Sequence, residues 1–365
     1  MRELVLANLE QCRHAAAAFG TAAEVEALRA PLERVLGRAA ELLAARRAAG
    51  RIRECHGDLH MRNIVRVDGR LRAFDCVEFE PAFRWIDVAD DVAFLVADLE
   101  AHGAAPLALA FLQGWLEASG DWQAGRLLPL YQAHRALVRA KVAALSQGAD
   151  AAARAALRRS HDAYLAHATA VLGPRRPFLL LMSGLSGSGK TWLATRLAPE
   201  LGALHLRSDI ERKRAAGLAP LQSSGSGPGR ALYAPAATAE VYRRLAAQAT
   251  DVLDGGRGVI VDATFLQAAE RSAFRALAAA HAVPFHVIRC VAPPELLRGR
   301  IGARRAAGAD ASEADLAVLD WQIERVEPPG PDECATLIET DTSRPDVLDA
   351  ALADLRAAGL AGPAR

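Results

Sequence analysis

The sequence predicts an α/β domain built on a parallel, doubly wound sheet, preceded by a mostly helical domain. Three observations predict it. After residue 176, short apolar segments alternate with helical patterns, at 178–183, 203–207, 258–262, 284–290 and 335–339. Residues 85–170 instead read as helix throughout, with pauses at Gly103, Gly120 and Gly148. Between the two lies the short linker "GPRRP" (173–177), which sets domains at 1–172 and 176–365 with a boundary near 175.

The first domain opens with helical spacing over 22–49, broken near Pro31. "NIVRV" (63–67), the turn pair Asp68-Gly69 and "LRAFD" (71–75) follow as a hairpin. In the second domain "LQSSGSGPGR" (221–230) predicts a mobile loop that orders over an acceptor.

Composition narrows the function classes. The 365 residues carry a net charge of +1, so no strand-binding basic groove or membrane-seeking charge is evident. The run "FLLLM" (178–182) falls far short of the ~20 residues of a membrane span. The N-terminus has no apolar signal core. Five cysteines without paired spacing point to a reduced, cytoplasmic compartment. Of the 44 basic residues only Lys141, Lys190 and Lys213 are lysine, so each is a candidate for chemistry needing a compact ammonium.

"GLSGSGKT" (184–191) follows the strand "FLLLMS" and opens a helix. Gly184, Ser186, Gly187, Ser188 and Gly189 would turn backbone N–H groups onto a polyphosphate, at the positive end of the helix. Lys190 would reach the β and γ phosphates of ATP, and the Thr191 hydroxyl would ligate Mg²⁺. "GVIVDATF" ends a strand at Asp262, where a carboxylate can hold Mg²⁺ directly or through water. "LHLRSDIERK" places Asp209 just past a strand, at the sheet edge where ligands bind. Either aspartate could instead be a helix N-cap. Arg300 and Arg304 stand four apart on one helix face and resemble lid arginines that neutralise a transferring phosphoryl group; solvated basic residues are the plainer alternative.

Together with "RSDIERK", "VIVDATFL" and an Arg-rich segment ending in "DASEA", these motifs make 176–345 similar to small-molecule kinases of the gluconate kinase, chloramphenicol phosphotransferase and zeta-toxin type. Within that group the chain resembles bacterial bifunctional aminoglycoside phosphotransferase/ATP-binding proteins. The resemblance implies a five-stranded parallel sheet of order 2-3-1-4-5. It also implies γ-phosphate transfer to the hydroxyl of a small molecule, with Asp209 orienting or deprotonating the acceptor.

"HGDLHMRN" (56–63) matches the catalytic-loop pattern H-x-D-x-x-x-x-N. Asp58 would accept a substrate proton, Asn63 would bind Mg²⁺, and Asp75 sits where the second metal-binding aspartate belongs. Residues 1–170 resemble the C-terminal, protein-kinase-like lobe of the aminoglycoside phosphotransferases, which implies that Asp87 braces the loop. A metal site at His56 and His60 is the weaker alternative. Only 53 residues precede the stretch "ECHGDLHMRN" (54–63) that holds the loop, with no lysine and no glycine-rich motif among them. The sequence therefore predicts a vestigial first site, lacking its nucleotide lobe, with apolar surface covered by residues 1–25 or by a second copy. The rival functions are a polynucleotide 5′-hydroxyl kinase and a non-catalytic, ATP-binding regulator.

Overall fold

A computed structural model describes residues 1–222, 224, 234–308, 310–330, 333 and 336–360. The chain divides into two compact units, Met1–Arg175 and Arg176–Arg365. Most of the segment expected to be a mobile loop, 221–230, lies outside the described residues.

The first unit runs α1 (Arg2–Ala16), α2 (Ala22–Ala27), α3 (Arg29–Ala48), β1 (Ile52–Glu54), β2 (Ile64–Val67), β3 (Arg70–Ala73), β4 (Trp85–Asp87), α4 (Val88–Ala101), α5 (Ala105–Ser119), α6 (Leu128–Leu145) and α7 (Ala151–Leu172). The helix break expected near Pro31 falls before Arg29 instead. Pro31 sits in the first turn of α3, where its missing N–H has no intrahelical partner to lose. The hairpin β2–β3 closes on Asp68 and Gly69, both with positive φ (50° and 74°), as a two-residue hairpin turn requires. β4, within the stretch expected to be helical, pairs antiparallel with β1. Three residues are too few for a period-2 signal to show against neighbouring helix. The core gathers Leu9, Leu32, Phe94, Leu112, Leu137 and Tyr164. Seven large apolar side chains between 65 and 85 stay exposed, among them Leu71, Phe79 and Trp85.

His134 of α6 is buried, 3.4 Å through Nδ1 from Asn8 Nδ2, and burial pushes its pKa down to about 4. The unfolded chain takes up this proton near pH 6.5, whereas the folded chain resists until about 4. Stability therefore falls as pH drops through that window, by roughly 3 kcal/mol for this group. Urea titrations read by hydrogen exchange at α6 amides should lose that share of the pH dependence in His134→Gln. An unchanged slope would refute the assignment.

The second unit runs β5 (Leu179–Ser183), α8 (Lys190–Leu201), β6 (Leu204–Arg207), α9 (Ser208–Ala215), α10 (Pro235–Asp254), β7 (Val259–Asp262), α11 (Ala268–Ala280), β8 (Phe285–Val291), α12 (Pro294–Ala307), α13 (Leu316–Ile323), β9 (Thr336–Asp341) and α14 (Val347–Ala357). The five strands are parallel in the order β6-β7-β5-β8-β9. Counted within this unit, that order reads 2-3-1-4-5. β5 is central and wholly buried, which is why "LLLMS" carries no polar alternation. Leu193, Leu197 and Leu201 of α8 and Leu352 and Leu355 of α14 cover one face, against Leu180, Met182, Ile260, Ile288 and Ile338. Central position and parallel pairing bring the C-terminal ends of β5, β6 and β7 to one edge. The motif residues 184–191, 209 and 262 all lie there.

Candidate functional site

The chain leaves β5 at Ser183 and turns through 184–189 into α8. Two glycines make the turn possible. Gly184 has φ 146°, and a Cβ there would lie 2.5 Å from the Cys290 carbonyl oxygen. Gly187 has φ 82°, and a Cβ would lie 2.6 Å from the Leu297 carbonyl oxygen. Any side chain at either would push against backbone as well as strain φ.

Three elements far away in sequence fasten this loop. Thr342, just past β9, donates from Oγ1 to the Ser188 carbonyl at 2.7 Å. Arg300 of α12 donates to the Gly187 carbonyl at 3.3 Å and to Thr342 Oγ1 and O, both at 2.8 Å. Gln322 of α13, itself buried, accepts from Ser186 N–H at 2.8 Å. The loop is thus rigid before any ligand arrives, and ordering it on binding costs little entropy.

Inside the loop, polar groups remain uncommitted. Ser188 Oγ is buried without a hydrogen-bond partner. Lys190 Nζ donates to the Leu185 carbonyl at a long 3.3 Å. Asp262, at the end of β7, is 3% exposed; His205 Nε2 stands 3.3 Å from its Oδ2, and Oδ1 has no partner. Burial alone would push the Asp262 carboxyl up. The bonded His205 ring, the Lys190 charge and the Thr191 hydroxyl outweigh burial and hold it below its ordinary range. An ionised carboxylate and a hydroxyl side by side suit a hard cation with oxygen ligands.

Beside the loop lies a cavity of about 370 Å³. Lys190 and Asp209 share its wall, with Ser186, Arg212, Trp321 and Gln322. Asp209 sits in the first turn of α9. It lines, with the loop lysine, one space large enough for a small molecule.

Arg300 and Arg304 are both on α12 but do not line this cavity. Arg300 grips the loop backbone as described, and Arg304 donates to the Ala314 carbonyl at 2.7 Å, tying back the segment that follows α12. Sequence reasoning missed Gln322, Thr342, Arg212 and Arg325. Arg212 falls within the motif "RSDIERK" but had no role assigned to it, and Gln322, Thr342 and Arg325 belong to no local motif, so only the tertiary fold identifies them.

The first unit brings part of its motif together. Asn63 Nδ2 donates to Asp58 Oδ2 at 3.1 Å, and His60 Nε2 lies 3.2 Å from the same oxygen. Burial would raise the Asp58 pKa, but the His60 contact and charge outweigh it and hold the carboxyl low. Asp75 stands exposed with a left-handed backbone, φ 60°, and no described hydrogen bond joins it to Asp58 or Asn63. The expected role of Asp87 is corrected. Asp91 braces the loop, accepting from His56 N–H and Gly57 N–H, both at 2.9 Å. Asp87 caps α4 through Ala89 N–H and pairs with Arg46. His56 Nε2 lies 2.8 Å from the Phe74 carbonyl, and no metal-binding group of three His, Cys, Asp or Glu exists among the described residues.

A family model described as an AAA domain matches residues 179–329. An uncharacterised protein of Mycobacterium tuberculosis H37Rv is 33% identical over 336 residues, which is 89% of this chain and 66% of that protein; one from Mycobacterium bovis matches equally. The chain thus spans about two thirds of the length of the curated relatives it matches. Among solved structures, a Chloroflexus aurantiacus protein assigned provisionally as a kinase aligns at 25% identity with TM-score 0.41, over 51% of this chain and 97% of its own. A sugar kinase of Janibacter aligns at 23% identity with TM-score 0.39, over 52% of this chain and 99% of its own. The match to the AAA domain model falls within the second unit and takes in the phosphate loop at 184–191. No helix of the described residues is long and apolar enough to cross a membrane.

Proposed function

We propose that the second unit is an ATP-dependent kinase that transfers the γ-phosphate to a hydroxyl of a small molecule. One observation carries the reading: Lys190 of the phosphate loop and Asp209 line the same cavity. The N–H groups of Gly187 and Gly189, the Ser188 hydroxyl and Lys190 bind the polyphosphate, while the N–H groups of Gly184, Ser186 and Ser188 already donate to Thr264 O, Gln322 Oε1 and Leu185 O. Asp209 receives the acceptor proton. The acceptor O–H bond breaks as its oxygen bonds to the γ phosphorus. The bond from phosphorus to the β–γ bridging oxygen breaks, and ADP leaves with that electron pair. Thr191 and Asp262 would hold Mg²⁺, which supplies Lewis-acid neutralisation of phosphate charge. Arg300 acts through the loop it fastens, and Arg304 through the segment it ties back.

The first unit takes no part in transfer in this reading, because Asp58 is bound by His60 and Asn63 while Asp75 stands apart. A screen of hydroxyl-bearing metabolites with [γ-³²P]ATP tests the reading, with Lys190→Ala as the blank. Label should pass to a small molecule in a Lys190-dependent way. Tight, Lys190-dependent ATP binding without transfer to any compound would favour a regulator instead. Label on oligonucleotide 5′ ends would favour a polynucleotide kinase.

A further inference from the structure

We propose that the first unit binds an apolar monocarboxylate in a cavity of about 420 Å³, with the carboxylate on Lys141 and Gln11. Lys141 of α6 is one of three lysines among 44 basic residues. Lys190 belongs to the phosphate loop, and Lys213 is buried with Glu313 at 3.4 Å. Lys141 lines the cavity of the first unit, and its Nζ donates to the neutral Gln11 Oε1 of α1 at 2.8 Å. No carboxylate pairs with it among the described residues. Burial pushes its pKa down, so the site favours an anion that keeps the ammonium charged. With Gln11 Oε1 taken, the amide N–H groups of Gln11 remain as further donors to a carboxylate.

The other charges of the wall are settled among themselves, and away from Lys141. Arg135 bonds Asp90 through two N–H groups at 2.8 and 2.9 Å, and its NH1 donates to the Gly57 carbonyl at 3.0 Å. Asp58, the next residue of that loop, has the Asn63 and His60 contacts described above. His134 is kept neutral by burial, with its pKa down at about 4. Lys141 follows Arg135 by six residues on α6, roughly 9 Å along the helix at 1.5 Å per residue. Apolar side chains make up most of the remaining wall, among them Val77, Phe79, Phe83, Ile86, Phe94 and Val138. Phe79 and Phe83 stay exposed, so an apolar body laid over them takes their rings out of water. A second carboxylate reaching the loop end would meet Asp58, which is held ionised. An amine in place of the carboxylate would be repelled by Lys141, and a neutral amide would leave that cation without an anion. One carboxylate on an apolar body therefore fits the cavity.

The test is isothermal titration calorimetry on the full chain at neutral pH. The probes are octanoate and 4-phenylbutyrate, which separate an aliphatic from an aromatic body; binding of either supports the inference. The controls are 4-phenylbutanamide, 4-phenylbutylamine and the dicarboxylate octanedioate. A monocarboxylate should bind about tenfold or more tightly than each control, and Lys141→Gln should weaken it by a similar factor. Phe83→Ser should weaken it as well, through the lost apolar wall, and the half-exposed ring makes that change tolerable to the fold. The amide control removes the charge on the unaltered chain, so the result does not depend on how a variant folds. The Mg·ATP shift of the second unit should be the same in both variants. No binding by either monocarboxylate, equal binding of the amide, the amine or octanedioate, or unchanged affinity in Lys141→Gln overturns the inference.

Discussion

Lys190→Ala is expected to abolish both the stabilisation of the chain by Mg·ATP and phosphoryl transfer. A ligand at a hundredfold excess over its Kd stabilises the folded state by about 2.7 kcal/mol, and most of that should vanish in the variant. Lys190 is one of three lysines in a chain that otherwise uses arginine, and its weak bond to the Leu185 carbonyl leaves the ammonium available. Asp209→Asn separates binding from chemistry. The amide keeps the shape of the wall but cannot take a proton, so the ATP shift should persist while transfer falls about 10²- to 10⁴-fold. Asp58→Ala and Asp75→Ala should leave both readouts near wild type. Thermal shift and label transfer on the four variants decide the matter. The reading fails if Asp58→Ala, and not Lys190→Ala, stops the chemistry.

The phosphate loop was legible because its chemistry is local. Strand, glycines, lysine and helix follow one another in eight residues, and the backbone alone shapes the site. The wall of the cavity was not legible. Gln322 reaches Ser186 across 136 residues, and Thr342 reaches Ser188 across 154. No periodicity announces such a pair, since neither partner has an unusual neighbourhood in sequence. Arg300 shows the intermediate case. Its place on a helix near the loop was readable, but its bonds to Gly187 and Thr342 depend on where β9 ends. In the first unit the difficulty was one of sorting. Asp87, Asp90, Asp91 and Asp98 crowd into twelve residues, and any could brace the catalytic-type loop. The fold gives each a separate partner: Arg46 to Asp87, Arg135 to Asp90, the His56 and Gly57 amides to Asp91, and the Met61 amide to Asp98. Helix start and helix rotation decide this, and both are tertiary outcomes to within a residue or two.

Arg46→Met is expected to destabilise the first unit by about 3–5 kcal/mol. Arg46 is 1% exposed, and its guanidinium bonds two carboxylates at once, Asp87 at 2.6 and 2.8 Å and Asp121 at 2.8 and 2.9 Å. Burial would drive this cation towards neutrality, but those bonds outweigh it and raise its pKa further. The thioether fills much of the space, so the cost comes from the two anions left behind rather than from a cavity. They are not left equally. Asp87 keeps the Tyr131 hydroxyl at 3.0 Å and the Ala89 N–H at 2.9 Å. Asp121 keeps only a distant Arg51 Nε at 3.8 Å among its described side-chain partners. Adding Asp121→Asn to Arg46→Met should therefore recover more stability than adding Asp87→Asn, which also weakens the α4 cap. Hydrogen exchange in α4 and α6 as a function of urea measures all three variants. The Mg·ATP shift, which reports on the second unit, should be unchanged throughout. A loss below about 1 kcal/mol in Arg46→Met, or equal recovery by the two asparagines, would show that the buried triad does not hold the first unit together as its geometry requires.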